Sequence, residues 1–397
     1  MWRWLVVEAA SVASVRRSGS YGAGSWAIRH GPTIDLFNVS LRQGKVVAYG
    51  PLSQESRDAL SAVSFKLEAK MVASQPHLPT VPIVETTNEG TCGRATMHVF
   101  FVSPWDWSNA WHFANDAISL AHHLQTTPFR QEPAALRVFE SPKKKKSPIS
   151  LAAIVVRALF GTNVGDASRM LKQRSTPCLN VHWGVGARLI GPVDGGGFVE
   201  ERRAAADALR DAVLKECGGG PGTSFSTRAL FVERSCGGNG ASAARCLSKP
   251  ATARLRAAFK ERGVDLEPCC DDWTDACGVV RRFSAADLVV GMHGAGLANA
   301  LFAPNHFVLV ELHGGYGASL DLFRKISQAR RGGYVSVATQ GGGGAEERGA
   351  SLDANRSTRV AACAVALWEQ QDSGATGKLA ALGHRAPRDH ETPARFS

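Results

Sequence analysis

Downstream of Gly218-Gly219-Gly220-Pro221 the chain settles into a regular alternation. The short apolar runs Ala229–Glu233, Val264–Leu266, Leu288–Gly291 and Phe307–Leu312 have the length and composition of buried strands. Between them lie Ala251–Arg262, closed by Gly263, then Asp275–Ala285 and a helix start at Leu297–Phe302. Strands alternating with helices imply a parallel sheet closed by right-handed crossovers, so the expected fold class is α/β. The Gly/Pro cluster at 218–221 is the expected domain boundary.

Upstream the pattern is less even. Residues 1–90 read as an irregular N-terminal segment with short extended candidates such as Lys45–Tyr49. Met97–Val102 and Leu136–Phe139 are strand candidates. Leu151–Phe160 and Glu201–Cys217 read as helices. So does Asn109–Leu124, with Ala110, Phe113, Ala114, Ala117, Ile118, Ala121 and Leu124 on one face. Its other, polar face carries Asn109, His112, Asp116, Ser119 and His123, and is either wet or part of a catalytic surface. Lys143–Lys146, set between prolines, reads as an exposed loop. The resulting division is 1–90, a domain over 91–217, a second over 222–340, and a low-order tail over 341–397 with a helix near Ala361–Glu369.

Composition narrows the function classes. In 397 residues, 44% hydrophobic and 20% charged, there is ample apolar material for a core, which excludes a disordered chain. No run of about 18 uncharged apolar residues exists, which excludes a multi-span membrane protein. Lys and Arg exceed Asp and Glu by 46 − 35 = 11, an excess that favours acidic partners such as phosphates, nucleic acid or anionic glycans. No nucleic acid is expected, because the chain carries none of the RRM, KH, zinc-finger or helix-turn-helix signatures. The nine cysteines form no paired CxxC units, so they read either as one or two disulfides of an oxidising lumen or as buried thiols. Two N-x-S triplets, at Asn38 and Asn355, permit a secretory location. Glu8 interrupts the only stretch resembling a signal core, so no signal peptide or membrane anchor is expected from the residues given.

The chemistry concentrates in Asp287-Leu288-Val289-Val290-Gly291-Met292-His293-Gly294-Ala295-Gly296-Leu297-Ala298-Asn299. Here an apolar strand enters a glycine-rich turn and then an apolar helix. Gly294 and Gly296 admit positive φ and let a ligand approach the backbone. The unpaired N–H groups and positive dipole end of the following helix form a prepared site for a phosphate or pyrophosphate. Backbone groups of Gly294, Ala295 and Gly296 are the expected cradle, with His293 and Arg234 adding hydrogen bonds or charge. Asn299 stands where a dinucleotide-binding G-x-G-x-x-G would place its third glycine, which argues against NAD. Glu311, at the end of a strand, is a candidate acceptor for both hydroxyls of a ribose. His112 and Asp116 stand four apart on one helix, a spacing that suits a carboxylate-supported general base.

The run Ala286–Phe302, with Pro304 and Val308-Leu309-Val310-Glu311-Leu312, resembles the signature of glycosyltransferase family 61, which includes plant β-1,2-xylosyltransferases and EGF-domain O-GlcNAc-transferases. Asn109-Ala110-Trp111-His112-Phe113 and Phe231-Val232-Glu233-Arg234 are similar to two further segments of that family. The family's second arginine after Arg234 is replaced here by Cys236-Gly237-Gly238, with Arg245 further on. The resemblance implies a GT-B architecture of two Rossmann-like domains facing a cleft. It implies an inverting, metal-independent transfer of GlcNAc, xylose or arabinose from a UDP-sugar to a protein or polysaccharide hydroxyl, with no permanently bound cofactor. Residence in the Golgi or endoplasmic reticulum follows from the same resemblance. Two alternatives stand beside it: a catalytically inactive glycan- or nucleotide-binding relative of the same fold, and a basic nucleic-acid-binding protein.

Overall fold

The computed structural model describes residues 26–30, 33–42, 45–58, 83–86, 97–101, 110–126, 134–137, 150–161, 164–166, 178–184, 199–219, 229–234, 236, 246–270, 273–314, 322–340 and 350–372. The fold is α/β, with one mixed and one parallel sheet. The chain divides into two compact units: residues 1–101, 131–138 and 165–183 form one, and residues 102–130, 139–164 and 184–397 the other.

The first unit is built on an eight-stranded sheet. Its strands are β1 (Trp26–His30), β2 (Thr33–Arg42), β3 (Lys45–Tyr49), β4 (Ile83–Thr86), β5 (Met97–Phe101), β6 (Ala134–Arg137), β7 (Val164–Asp166) and β8 (Leu179–Gly184). Their order is β4-β3-β2-β8-β5-β6-β7, with β1 beside β2. β1, β2 and β3 pair antiparallel, whereas β5 runs parallel to both β6 and β8. Residues 26–86 therefore carry four strands where the sequence predicts an irregular segment. The apolar alternation in β2 is masked by Asp35, Asn38 and Ser40, of which Asp35 and Ser40 are themselves buried. Asp35 is accommodated because its Oδ1 lies 2.9 Å from Nδ1 of His182. His182 Nε2 in turn lies 2.7 Å from Nδ1 of His98, which completes a buried polar chain.

In the second unit a five-stranded sheet comprises β9 (Ala229–Val232), β10 (Glu267–Cys269), β11 (Leu288–Met292), β12 (Val308–His313) and β13 (Gly333–Ala338). All neighbouring pairs run parallel, in the order β10-β9-β11-β12-β13. In order of appearance the strands stand 2-1-3-4-5, a doubly wound topology whose direction of winding reverses between β9 and β11. The helices of this unit are α1 (Ala110–Thr126), α2 (Ser150–Phe160), α3 (Val199–Glu216), α4 (Lys249–Lys260), α5 (Ala276–Ser284), a 3₁₀ helix (Ala295–Phe302), α6 (Leu322–Ala329) and α7 (Ala354–Asp372). On one face of the sheet, Val290, Val310, Leu312 and Val337 pack against Leu255 and Phe259 of α4 and Ala361 and Ala364 of α7. Local chemistry sets the helix ends. Ser248 Oγ accepts from the Ala251 N–H and Pro250 occupies the first turn of α4, while Gly263, at φ +74°, stands just beyond its end.

Three sequence expectations are corrected here. The helix expected near Ala361–Glu369 is present as α7 but is longer, Ala354–Asp372, and supplies part of the sheet's core instead of lying in a low-order tail. The Gly/Pro cluster at 218–221 is not a domain boundary, because α1, α2 and α3 belong to the same unit as the parallel sheet. Gly218, at φ +72°, instead ends α3. The strand expected at 264–266 pairs three residues later, at Glu267–Cys269, while Val264 and Leu266 are buried in the approach to it. As an edge strand, β10 tolerates Pro268 in its ladder. Lys143–Lys146 lies outside the described residues.

The outer helices are fastened by charge and by covalent bonds. The guanidinium of Arg330, just after α6, is almost fully buried and pairs with Asp207 of α3. Burial lowers its pKa to about 10, and the Asp207 carboxylate opposes that shift, so the group stays protonated near neutrality. Disulfides join Cys217 to Cys277, Cys236 to Cys246 and Cys269 to Cys270, and Cys178 is also disulfide-bonded. That exceeds the one or two bridges expected, and among the described residues the free cysteine is Cys363. The Cys217–Cys277 bridge ties the end of α3 to the first turn of α5 across 60 residues. Replacing Cys277 by Ala should cost about 2–5 kcal/mol in folding stability, read as a lower urea midpoint with a steeper slope, because the unlinked denatured chain exposes more surface.

Candidate functional site

A cavity of about 360 Å³ opens in the second unit at the carboxyl ends of β9 and β11. That is the reversal point of the winding, where open α/β sheets bind their ligands. Val232, Glu233 and Arg234 line it from the end of β9, and Met292, Gly294, Ala295 and Gly296 from the end of β11. Its volume lies within the range of small-molecule sites, roughly 300–1,000 Å³.

Four helices begin on its wall. Ala110 is the first residue of α1, Ser150 of α2, Ala276 of α5 and Ala295 of the 3₁₀ helix, and all four line the cavity. Each start brings unpaired N–H groups and a positive dipole end, roughly +0.5 of a charge for a full helix. One of them, α5, is offset by Asp275, whose Oδ1 accepts from the Gly278 N–H at 2.8 Å. A Cβ on Gly278 would stand 2.1 Å from Asp275 Oδ2, so any larger residue there would make the capping carboxylate shift. The exposed side chain of Arg234 adds a full positive charge. Glu233 supplies the opposite sign, but it is paired to Arg256 at 3.2 Å.

The glycines of the turn serve close packing, which corrects the expectation of positive φ. Gly294 is extended, at φ 170°, and neither it nor Gly296 is left-handed. A Cβ on Gly294 would lie 2.8 Å from Nη1 of Arg234. One on Gly296 would lie 3.1 Å from Cη2 of Trp273 and 3.2 Å from Cγ1 of Val232. A side chain at either position would push the arginine or the indole outward.

Behind the turn stands a carboxylate inside a sheet. Glu311 occupies β12, every residue of which is buried, and is itself 5% exposed. Parallel register sets it opposite Gly291 and Ser336, so His293 and Tyr334 are its diagonal neighbours on the same face. One carboxylate oxygen is hydrogen-bonded to His293 Nδ1, and the other accepts from the Tyr334 hydroxyl. The His293 N–H also donates to the Leu312 carbonyl at 2.6 Å, and its ring meets Phe323 edge-on with centroids 5.3 Å apart. Both oxygens of Glu311 are thus engaged. Neither Glu311 nor His293 lines the cavity. Because an ionised carboxylate only accepts, the Nδ1–H of His293 points at Glu311, which fixes the ring and the start of the turn.

The structure therefore brings Arg234, Gly294, Ala295 and Gly296 together on one wall, with His293 and Glu311 as a bonded pair behind it. His112 and Asp116 lie in α1, beginning two residues after the cavity-lining Ala110, and their side chains fall outside the described residues. The wet reading of that helix's polar face is corrected at Ser119 and His123, which are 5% and 1% exposed. Sequence reading passes over Ser150 and Trp273, both of which line the cavity. The available signal was an aromatic residue in the polar loop Asp271-Asp272-Trp273-Thr274-Asp275, just beyond the carboxyl end of a strand.

No protein-family model matches the chain, and no curated protein matches it. Among the described residues, no helix is long and apolar enough to cross a membrane.

Replacing Glu311 by Gln keeps the volume but faces His293 or Tyr334 with an amide N–H in place of an acceptor. The expected loss is about 1–3 kcal/mol of stability, read by urea unfolding, together with loss of the His293 Nδ1 proton resonance in imidazole NMR.

Proposed function

We propose that the protein is an inverting glycosyltransferase that moves a sugar, GlcNAc, xylose or arabinose, from a UDP-sugar to a hydroxyl of a protein or glycan. The observation that carries this reading is the meeting of four helix starts and Arg234 around one cavity at the reversal point of a parallel sheet. A UDP-sugar presents two linked phosphates, and such a cavity compensates their charge before and after the bond to the sugar breaks. The resemblance of Ala286–Leu312 to glycosyltransferase family 61 supports the same reading, and with it a GT-B fold is proposed.

In this scheme the donor diphosphate lies against Gly294, Ala295 and Gly296, with Arg234 over it. The Glu311–His293 pair holds that turn in place. An acceptor oxygen attacks the anomeric carbon, the bond from that carbon to the β-phosphate oxygen breaks with inversion, and UDP departs with the electron pair. His112 takes the acceptor proton, and Asp116, one turn along α1, stabilises the imidazolium. The disulfide-bonded cysteines support synthesis in an oxidising lumen, that of the Golgi or endoplasmic reticulum. The segment Cys236-Gly237-Gly238, standing in place of the family's second arginine, favours a second reading in which the fold binds a nucleotide sugar without turning it over.

Release of UDP from a panel of UDP-sugars with mixed acceptors separates the two. Release supports the transferase, binding without release selects the second reading, and no binding removes both. Replacing Arg234 by Ala should weaken UDP binding by about 10- to 100-fold, the value of one charge-assisted contact, measured by titration calorimetry. Replacing His112 by Ala should lower turnover by about 100-fold or more while leaving the UDP dissociation constant within a factor of about two; unchanged turnover would remove it from the mechanism.

A further inference from the structure

Among the described residues, Trp273 is the one large hydrophobic side chain that stands exposed, at 41%. It is also on the cavity wall. Its benzo edge rests against Gly296, where a Cβ would lie 3.1 Å from Cη2 and 3.5 Å from Cζ2. Val232 crowds the same point from β9, at 3.2 Å. The indole therefore has a fixed seat on the turn that carries the anion-binding backbone.

The loop bearing it is anchored on several sides. β10 ends at Cys269, four residues before Trp273, and α5 begins three residues after it. Asp275 caps α5, and Cys277 in its first turn is bonded to Cys217. The main-chain carbonyl of Trp273 accepts from Ser150 Oγ at the start of α2, at 3.5 Å. An indole held this way needs little ordering when a ring settles on it.

The wall carries a second, chemically distinct end. Arg234 packs at Gly294, whereas Trp273 packs at Gly296, so cation and aromatic flank the turn two residues apart. Two residues of backbone span at most about 7 Å, which sets them side by side on one ligand. A ligand that uses both must join an anionic group to a flat ring. A nucleoside diphosphate has that form; inorganic phosphate, pyrophosphate and a free monosaccharide do not.

We propose that Trp273 is the nucleobase platform of this cavity, stacking the base of a nucleoside diphosphate whose phosphates lie against Gly294–Gly296 and Arg234. This rests on the donor site assigned above and names the part of the donor the protein recognises by its ring. Base–aromatic stacking tolerates different bases, so affinity from Trp273 does not depend on uracil. Discrimination among bases would come from groups around the ring edge.

The test is titration calorimetry of the full-length protein and its W273A, W273F and R234A variants with UDP, UMP and inorganic pyrophosphate, after a thermal melt of each variant. W273A should bind UDP and UMP about 5- to 150-fold more weakly, W273F should recover most of that loss, and pyrophosphate binding should be unchanged in both. R234A should weaken UDP and pyrophosphate together. The platform is overturned if W273A binds UDP as tightly as the parent protein, if it loses pyrophosphate in the same proportion, or if W273F fails to recover affinity while melting normally. It is overturned too if the parent protein binds pyrophosphate but not UDP. Failure of the parent protein to bind UDP and pyrophosphate alike defeats the donor-site reading itself. Should W273A fail to fold, the ratio of UDP to pyrophosphate affinity in W273F and in W273L, which keeps an apolar group without a ring face, decides the same question.

Discussion

A carboxylate in the middle of a fully buried strand is costly unless both of its oxygens are engaged, and in this protein much of the site follows from how that requirement is met. Glu311 is flanked by apolar neighbours along β12, and its partners come from the adjacent strands: Tyr334 in β13 and His293 just past β11. Meeting the demands of Glu311 sets the orientation of the His293 ring. That ring lies one residue before Gly294, so the path of the chain into the 3₁₀ helix is constrained by an interaction inside the sheet. The cavity wall inherits its shape from a bond that a ligand would never touch. Such an arrangement keeps backbone donors in position before any ligand arrives, which is what electrostatic preorganisation requires.

The same wall illustrates how partial charges add. A single helix start is a weak attractor, screened by water within a turn. On one concave surface the starts of α1, α2 and the 3₁₀ helix stand in company with an arginine, so their partial charges add there. Their convergence follows from the doubly wound topology, which sends crossover helices to both faces at the reversal point, and from α1 and α2 joining this unit from earlier in the chain. Glu233 and Asp275 lie close by, but each is already engaged, one by Arg256 and the other by the α5 cap.

What could be read from the residues alone tracks how far each feature depends on distant contacts. The strands β9 and β11 are legible because strands buried on both faces are written as unbroken apolar runs, and β12 is legible through Val308-Leu309-Val310 despite Glu311. α4 and α5 are legible through Ser248, Pro250, Asp275 and Gly263, which act locally. β2 and β8 are much less so, since Asp35, Asn180 and His182 break their apolar pattern and are tolerated only through partners far along the chain, as the pairing of Asp35 with His182 illustrates. At the site, the turn 293–296 and Arg234 are legible as a strand end meeting a helix start. The engagement of Glu311 by Tyr334 is not, because it is set by strand register. Trp273 and Ser150 join the wall only once α2 and the loop after β10 are placed beside β11.

The second unit is assembled from three separate stretches of chain, 102–130, 139–164 and 184–397. During synthesis, then, α1 and α2 emerge before the parallel sheet, and they pack against α3, which also precedes it in the chain. α7, placed after the last strand of the sheet, completes the packing on the face that α4 covers.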